Sequence, residues 1–440
     1  MKPTKPKAIP RSAHPLDDWR GGVRLVIDGV IGVTGVAESL HRRIARVAPP
    51  IGKVADEPTR GITGLVYRSI RGTTGLVGMG LDAALATLQA SMPPPALTGL
   101  AGATEATQPA RDAVVSALNG VMGDHLERSG NPLAIAMRLQ VRGPLMPDGS
   151  TLPYGPEPER GPRVLLLVHG LCMNDLQWTR NGHDHGQFLA KAEDFTPVYA
   201  RYNTGRHIST NGRELAAQLE ALLADWPVPV EQLAILGHSM GGLVARSAVH
   251  QAVKAGMAWP AHLRQLIFLG TPHHGAPMER GGNWLHRALG ISPYVAPFAR
   301  LSGLRSEGIT DLRYGNLLDE DWMPGRFSTR DTRTALPLPS GVACHAIAGS
   351  LGRAEAPGPS APGAPVENEG SRIAAATRAL GAALLGDGLV PVASALGRHT
   401  KPSRNLRIPP SHQWIAQGVN HLDLLSSPLV ARQLRQCLGG

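Results

Sequence analysis

Residues 233–241 read Leu233-Ala234-Ile235-Leu236-Gly237-His238-Ser239-Met240-Gly241, an apolar run that breaks into Gly-x-Ser-x-Gly. A helix-like segment at 242–255 follows at once. A short apolar run bounded by glycine reads as a buried strand, so the serine falls at the tip of a strand–turn–helix. There a hydroxyl projects alone and can attack a carbonyl. The flanking glycines allow a turn too sharp for side chains at 237 and 241. The pentapeptide by itself is weak evidence. With 52 Gly in 440 residues, it arises by chance about 0.3 times per chain. Its surroundings carry the weight.

From Gly161 onward, strands alternate with helices. Strands are expected at 164–168, 197–202, 233–236, 265–269 and 342–348, with a last one before Val419. Helices are expected at about 186–192, 212–223, 242–255 and 371–384. That alternation predicts a mainly parallel sheet with helices on both faces. A first strand is read at 133–141, and a turn at Asp148-Gly149. Residues 273–340 are too long for a simple connection and contain helix-like pieces at 284–289 and 295–304, so an inserted helical cap is expected there. Residues 354–365 are a loop rich in Pro, Gly and Ala.

Ahead of this lies a different region. Residues 1–18 read as a basic, flexible tail, and 19–130 as a helical N-terminal region, with 131–440 as the catalytic domain. Apolar positions keep helical spacing from Trp19 to Ile44 and again from Ile62 to Leu88, and a third helix is expected at 110–127. Glycines recur every three or four residues in the first two segments. Each costs about 1 kcal/mol against alanine inside a helix, which asks for a reason such as close helix–helix contact. A two-helix packing unit and an amphipathic pair touching lipid both fit.

Hydrophobic content of 42% is ordinary for a globular protein. No run of about 18 apolar residues predicts a membrane span, and the N-terminus lacks the apolar core of a secretory signal. Cys172, Cys344 and Cys437 are too few and scattered for a disulfide framework or a zinc site, so a reducing cytoplasm is the expected location. Net charge is +10, and residues 1–75 carry 13 Lys/Arg against 6 Asp/Glu. That surplus points to a solvated basic face or to peripheral contact with an anionic membrane. Nucleic acid is not expected, because no binding motif or aromatic interleaving accompanies the charge.

Covalent acyl transfer needs a nucleophile, a base, a group that orients the base, and an oxyanion hole. His421, near the C-terminus after Gly418-Val419-Asn420, is the expected base, with His412 as fallback. Asp387, between Gly386 and Gly388, is the expected acid, although Asp-Gly is also a common turn dipeptide. Asp423 is held in reserve, two residues from the base, where reaching the ring is awkward. The Met240 N–H follows the nucleophile at a helix N-terminus, where the dipole favours negative charge. His238 faces the elbow interior as a packing or hydrogen-bonding residue, while His273 and His274 are placed at the pocket mouth. Cys172 reads as structural. His183-Asp184-His185 reads as a polar loop near the pocket, so no metal is expected. No phosphate-cradling or dinucleotide motif appears, so no cofactor is expected.

Four stretches carry a resemblance: Val168-His169-Gly170-Leu171, Gly237 to Gly241, Gly386-Asp387-Gly388-Leu389-Val390-Pro391, and Asn420-His421-Leu422-Asp423-Leu424-Leu425. They resemble α/β-hydrolase lipases and esterases, most of all the bacterial branch similar to GPI inositol-deacylase-like lipases. The likeness covers about 160–430, and the order Ser…Asp…His is that of the fold. Leu269-Gly270-Thr271-Pro272-His273-His274-Gly275 also resembles the strand end after the nucleophile helix. The resemblance implies Leu171 as the second oxyanion donor and Asp387 at the acid position. His169, Gly170, His238 and His273 are the expected substrate-contacting residues.

The expectation is a serine carboxylic-ester hydrolase with an ester or lipid substrate. An amidase or acyltransferase using the same three residues stays open. So does a non-catalytic lipid- or protein-binding module centred on 19–90.

Overall fold

The structure, a computed structural model, describes residues 20–24, 27, 69, 108–142, 159–275, 306–323, 331, 333–352 and 386–439. The basic tail, most of the two glycine-laced helices, the turn at 148–149, the loop at 354–365, the helix at 371–384 and the cap pieces at 284–304 lie outside them. Contacts divide the chain into two compact units: Met1–Gln108 with Leu126–Ala134, and Pro109–His125 with Ile135–Gly440. Within the first, Asn131 Nδ2 donates to Gly21 O at 3.1 Å and Arg24 Nη1 to Gly130 O at 2.6 Å.

The second unit is built on a seven-stranded sheet. Its strands are β1 (Arg138–Val141), β2 (Arg163–Val168), β3 (Thr196–Arg201), β4 (Gln232–His238), β5 (Leu263–Leu269), β6 (Ala343–Ser350) and β7 (Gln413–Gln417). Spatial order is β1-β3-β2-β4-β5-β6-β7. Only β1 runs antiparallel; the other neighbours are parallel. The first strand begins later than the sequence suggests, because the Ile135 N–H is taken by Asn119 Oδ1 at 2.9 Å instead of a ladder partner.

Central strands buried on both faces must be apolar throughout, with alternate residues entering opposite cores. Val164, Leu166 and Val168 of β2 join Leu233 and Ile235 of β4 in one core. Leu165 and Leu167 join Ala234 and Leu236 in the other.

Helices cover both sides. On the first face lie α3 (Ile208–Ala224), through Leu215 and Leu219, and α4 (Met240–Ala255), through Leu243, Val244 and Ala248. On the second lie α2 (His185–Glu193), through Leu189, and α8 (Pro428–Leu438), through Val430 and Leu434. The sequence reading had no helix after His421. Val430, Ala431, Leu434, Cys437 and Leu438 recur at helical spacing and are buried, so the signal for α8 was there.

Earlier in the chain, α1 (Gln108–Arg128) places Ala117 and Val121 in the first core. Of the expected cap, α5 (Glu307–Asp311) and α6 (Asp319–Trp322) are described between β5 and β6. A short α7 (Val392–Ala395) follows the Asp387 turn. No described helix is long and apolar enough to cross a membrane. The arrangement is the α/β-hydrolase fold expected from the sequence.

Candidate active site

In an open parallel sheet, ligands sit beyond the C-terminal strand ends where the strand order reverses. Here that point lies between β2 and β4, since the chain leaves β2 toward β3 on one side and returns to β4 on the other. Ser239 directly follows β4, and His169-Gly170-Leu171 directly follows β2.

Ser239 has φ 54° and ψ −125°, a backbone conformation that side chains rarely adopt. Such strain costs on the order of 1–3 kcal/mol and persists only where the surroundings enforce it. They do so here in two ways. The Ser239 N–H donates to Leu269 O of β5 at 2.8 Å. The start of α4 also presses onto β2: a Cβ on Gly241 would stand 2.1 Å from Val168 O and 2.6 Å from His169 O. Only glycine lets the helix begin there.

The same closeness brings the two expected oxyanion donors together. A Cβ on Gly170 would lie 3.0 Å from Ser239 Cβ, so the loop after β2 lies against Ser239. The Met240 N–H opens α4, where first-turn donors have no acceptor within the helix. Among the described residues, no protein acceptor takes the N–H of Leu171 or of Met240. The loop is braced from behind. Cys172 N–H donates to Thr204 Oγ1 at 3.1 Å, and Asn174 Nδ2 to Ser116 Oγ of α1 at 3.1 Å.

Asp387 and His421 meet directly. His421 Nδ1 lies 2.7 Å from Asp387 Oδ2, with both residues buried. The other carboxylate oxygen accepts from the N–H groups of Leu389 at 3.0 Å and Val390 at 2.8 Å. The His421 N–H donates to Asp387 O at 3.0 Å. The turn that allows this has φ 57° at Gly386 and 96° at Gly388. Every oxygen of Asp387 therefore has a partner, and the imidazole is fixed with Nδ1 toward the acid.

Ser239 and His421 flank the same strand end. Leu269 O holds the Ser239 N–H, and a Cβ on the next residue, Gly270, would lie 3.2 Å from His421 Nδ1 and Cε1. No hydrogen bond joins the Ser239 hydroxyl to the His421 ring among the described residues. Such bonds are long in free enzymes and tighten with substrate.

The other singled-out side chains divide clearly. His238 donates through Nε2 to His421 O at 3.1 Å. Burial pushes its pKa well down, so it is neutral. It positions the backbone of the expected base, a role that no local pattern signals. His169 is fully buried, stacks on Tyr202 at 4.4 Å, and is pushed by burial to about 4. Its carbonyl accepts from Tyr202 Oη at 2.6 Å, so it lies under the oxyanion loop. His273 packs edge-on against Phe268 and faces Arg246 at 3.4 Å, so both of these partners lie outside the triad.

Of the reserves, Asp423 is bound by Asn420 at 2.5 Å, and His412 by Cys344 O at 3.2 Å with its ring stacked on His345. Cys172 is free and buried, and burial pushes its thiol up to about 12, far from a thiolate nucleophile. His183 Nε2 and His185 Nδ1 lie 2.8 Å apart, and His185 Nε2 donates to Leu424 O at 2.9 Å. This pair ties the loop before α2 to the turn just after His421.

Residues 160–303 match the family model described as the PGAP1-like alpha/beta domain. No curated protein matches the sequence. Among solved structures, the mature lipase BlEst2 of Bacillus licheniformis is 17% identical, with 68% of this chain and 98% of that chain covered and a TM-score of 0.39. A lipase-esterase related protein from Clostridium acetobutylicum is 11% identical over 69% and 99%, at 0.33. The Pyrococcus furiosus esterase Pf2001 is 13% identical over 63% and 80%, also at 0.33. Likenesses this loose transfer no residue, and the site rests on its own geometry. With the elbow and the β2 loop both inside the matched segment, the chain carries the α/β-hydrolase fold and is similar over residues 160–303 to the PGAP1-like alpha/beta domain.

Proposed function

We propose that the chain is a serine carboxylic-ester hydrolase acting through an acyl-enzyme on Ser239. The observation that carries this reading is the buried 2.7 Å pair of Asp387 and His421, beside a serine held at φ 54° on the sharp turn into α4. Ser239 Oγ attacks the ester carbonyl carbon while its proton passes to His421 Nε2, the nitrogen that Asp387 leaves available. The oxyanion is met by the N–H groups of Leu171 and Met240, at the positive end of α4. Collapse expels the alcohol, which takes its proton from His421. A water then gives its proton to the same nitrogen, attacks the acyl carbon and releases the acid, restoring Ser239. Asp387 orients the ring and stabilises the imidazolium without accepting the proton.

The substrate class is an ester or lipid, and acyl-chain preference belongs to the cap between β5 and β6. Peripheral contact of residues 19–90 with anionic membrane is part of the same proposal, motivated by the basic surplus there. Hydrolysis of a short-chain nitrophenyl ester by the full chain and by Ser239→Ala tests the reaction: the native chain turns over, and equal rates in the two end the reading.

A further inference from the structure

Arg246 lies on the second turn of α4, buried, with no carboxylate within pairing distance among the described residues. Its Nη2 donates to Leu336 O at 2.6 Å and its Nη1 faces His273 Nδ1 at 3.4 Å, but Nε has no partner among the described residues. Burial and the neighbouring Arg333 push its pKa down to about 10. Elsewhere buried guanidiniums are matched: Arg201 pairs with Asp112 at 2.6 Å and with Asp175, which also holds Arg142.

His273 repeats the pattern. Its Nδ1 accepts from Arg246, which leaves the ring proton on Nε2, and that N–H is buried with no partner among the described residues. Unmade hydrogen bonds on buried donors are costly, so both groups ask for an acceptor.

Both groups line a cavity of about 260 Å³, shared with His274, Arg333, Arg404 and Arg407. That is room for roughly nine waters. Its described lining holds no Asp or Glu. Two carboxylates stand behind it: Asp331 is divided between Arg333 at 3.3 Å and Arg404, and Asp321, which also acts on Arg333, accepts from the N–H groups of Leu317 at 2.8 Å and Thr334 at 2.7 Å. Four guanidiniums therefore stand against two acids, neither of them paired with Arg246. A metal cation would be repelled, and an apolar ligand would leave the donors unmade. Guanidinium forks with imidazole N–H groups match a multiply charged oxyanion.

We propose that this cavity binds a phosphate group, either as a free phosphomonoester or as a lipid headgroup. The site is separate from the ester-cleaving machinery and does not rest on that reading.

Thermal unfolding of the full chain, titrated with inorganic phosphate against chloride at matched ionic strength, tests it. Phosphate is expected to raise the midpoint and chloride not. Arg246→Met should weaken the response roughly tenfold, the loss of one charge-assisted contact. Arg407→Gln, an exposed change that spares the core, should weaken it severalfold. Asp331→Asn should strengthen it, because a competing anion is gone. Ser239→Ala should respond as the native chain does, which separates this outcome from that of the hydrolase reading.

The source of the phosphate is read from two further probes. An equal response to glycerol 3-phosphate assigns a soluble ligand. Binding confined to phosphatidic acid vesicles over phosphatidylcholine, and lost in Arg246→Met, assigns a headgroup. A native response no greater to phosphate than to chloride, with no vesicle binding that depends on Arg246, overturns the proposal, as do variants that all respond like the native chain.

Discussion

At its first turn, helix α4 carries Ser239 beside an acid–imidazole pair that is complete in itself. Asp387 fills both oxygens with His421, Leu389 and Val390. Two turns along the same helix, Arg246, together with His273 from the segment after β5, keeps buried donors without a partner among the described residues. One cluster carries its own counter-charge and so holds a fixed geometry. The other has an excess of positive charge, and the two arrangements predict different responses to mutation.

The largest effect should come from Ser239→Ala, which removes the attacking atom. Loss of about 10⁶ in kcat is expected where a nucleophile acts within a triad, with folding intact by circular dichroism. A drop of less than about tenfold would dissolve the distinction between the two clusters. Asp387→Asn should cost about 10⁴, because the amide N–H donates to Nδ1 and so leaves the ring proton on Nε2, the tautomer that cannot act as base. The loss should fall in kcat more than in KM.

Next comes an effect on stability. His169 is pushed by burial from 6.5 to about 4 and His185 to about 3. The unfolded chain binds these protons more readily, so their neutral burial contributes fully above pH 6.5 and is lost progressively as pH falls toward about 4 for His169 and about 3 for His185. The shifts correspond to about 3 kcal/mol for His169 and about 5 kcal/mol for His185. Urea unfolding at several pH values should show stability falling across that window. A flat profile would mean that these rings are not held neutral in the fold.

The smallest effect should come from Cys172→Ala. Its thiol is not ionised, so ester hydrolysis should persist, with about 1 kcal/mol lost in stability from trimmed packing. Inactivation of the native chain by a thiol reagent would contradict this and open a cysteine route.

The two clusters also differ in how far the sequence announces them. The elbow is written locally: an apolar strand, two glycines, a serine and a helix all lie within 233–255. The Asp387 turn is legible for the same reason, since its two glycines mark the left-handed backbone that brings the carboxylate round. Nothing local marks the Arg246 cavity. Its parts come from α4, the segment after β5, residues 333–338 and residues 403–407, and only folding brings them together.

The bracing of the loop after β2 is hidden in the same way. Ser116 of α1 reaches Asn174 across 58 positions, and His185 reaches Leu424 across 239. His273 is legible only in part: as a histidine after a strand end it reads as a pocket residue, and it does line a cavity, but its partner is an arginine whose place no periodicity reveals. Helix α8 differs: it lies beyond the last stretch that carries chemistry, yet Val430, Leu434 and Cys437 keep helical spacing and make it legible.

The central claim is that Ser239, Asp387 and His421 act as one unit. Labelling the native full chain with a fluorophosphonate, then mapping the adduct by mass spectrometry, tests it most directly. The account predicts a single adduct on Ser239, formed far more slowly in His421→Gln and in Asp387→Asn. An adduct on another residue, or labelling of Ser239 at native speed when His421 is replaced, would contradict it.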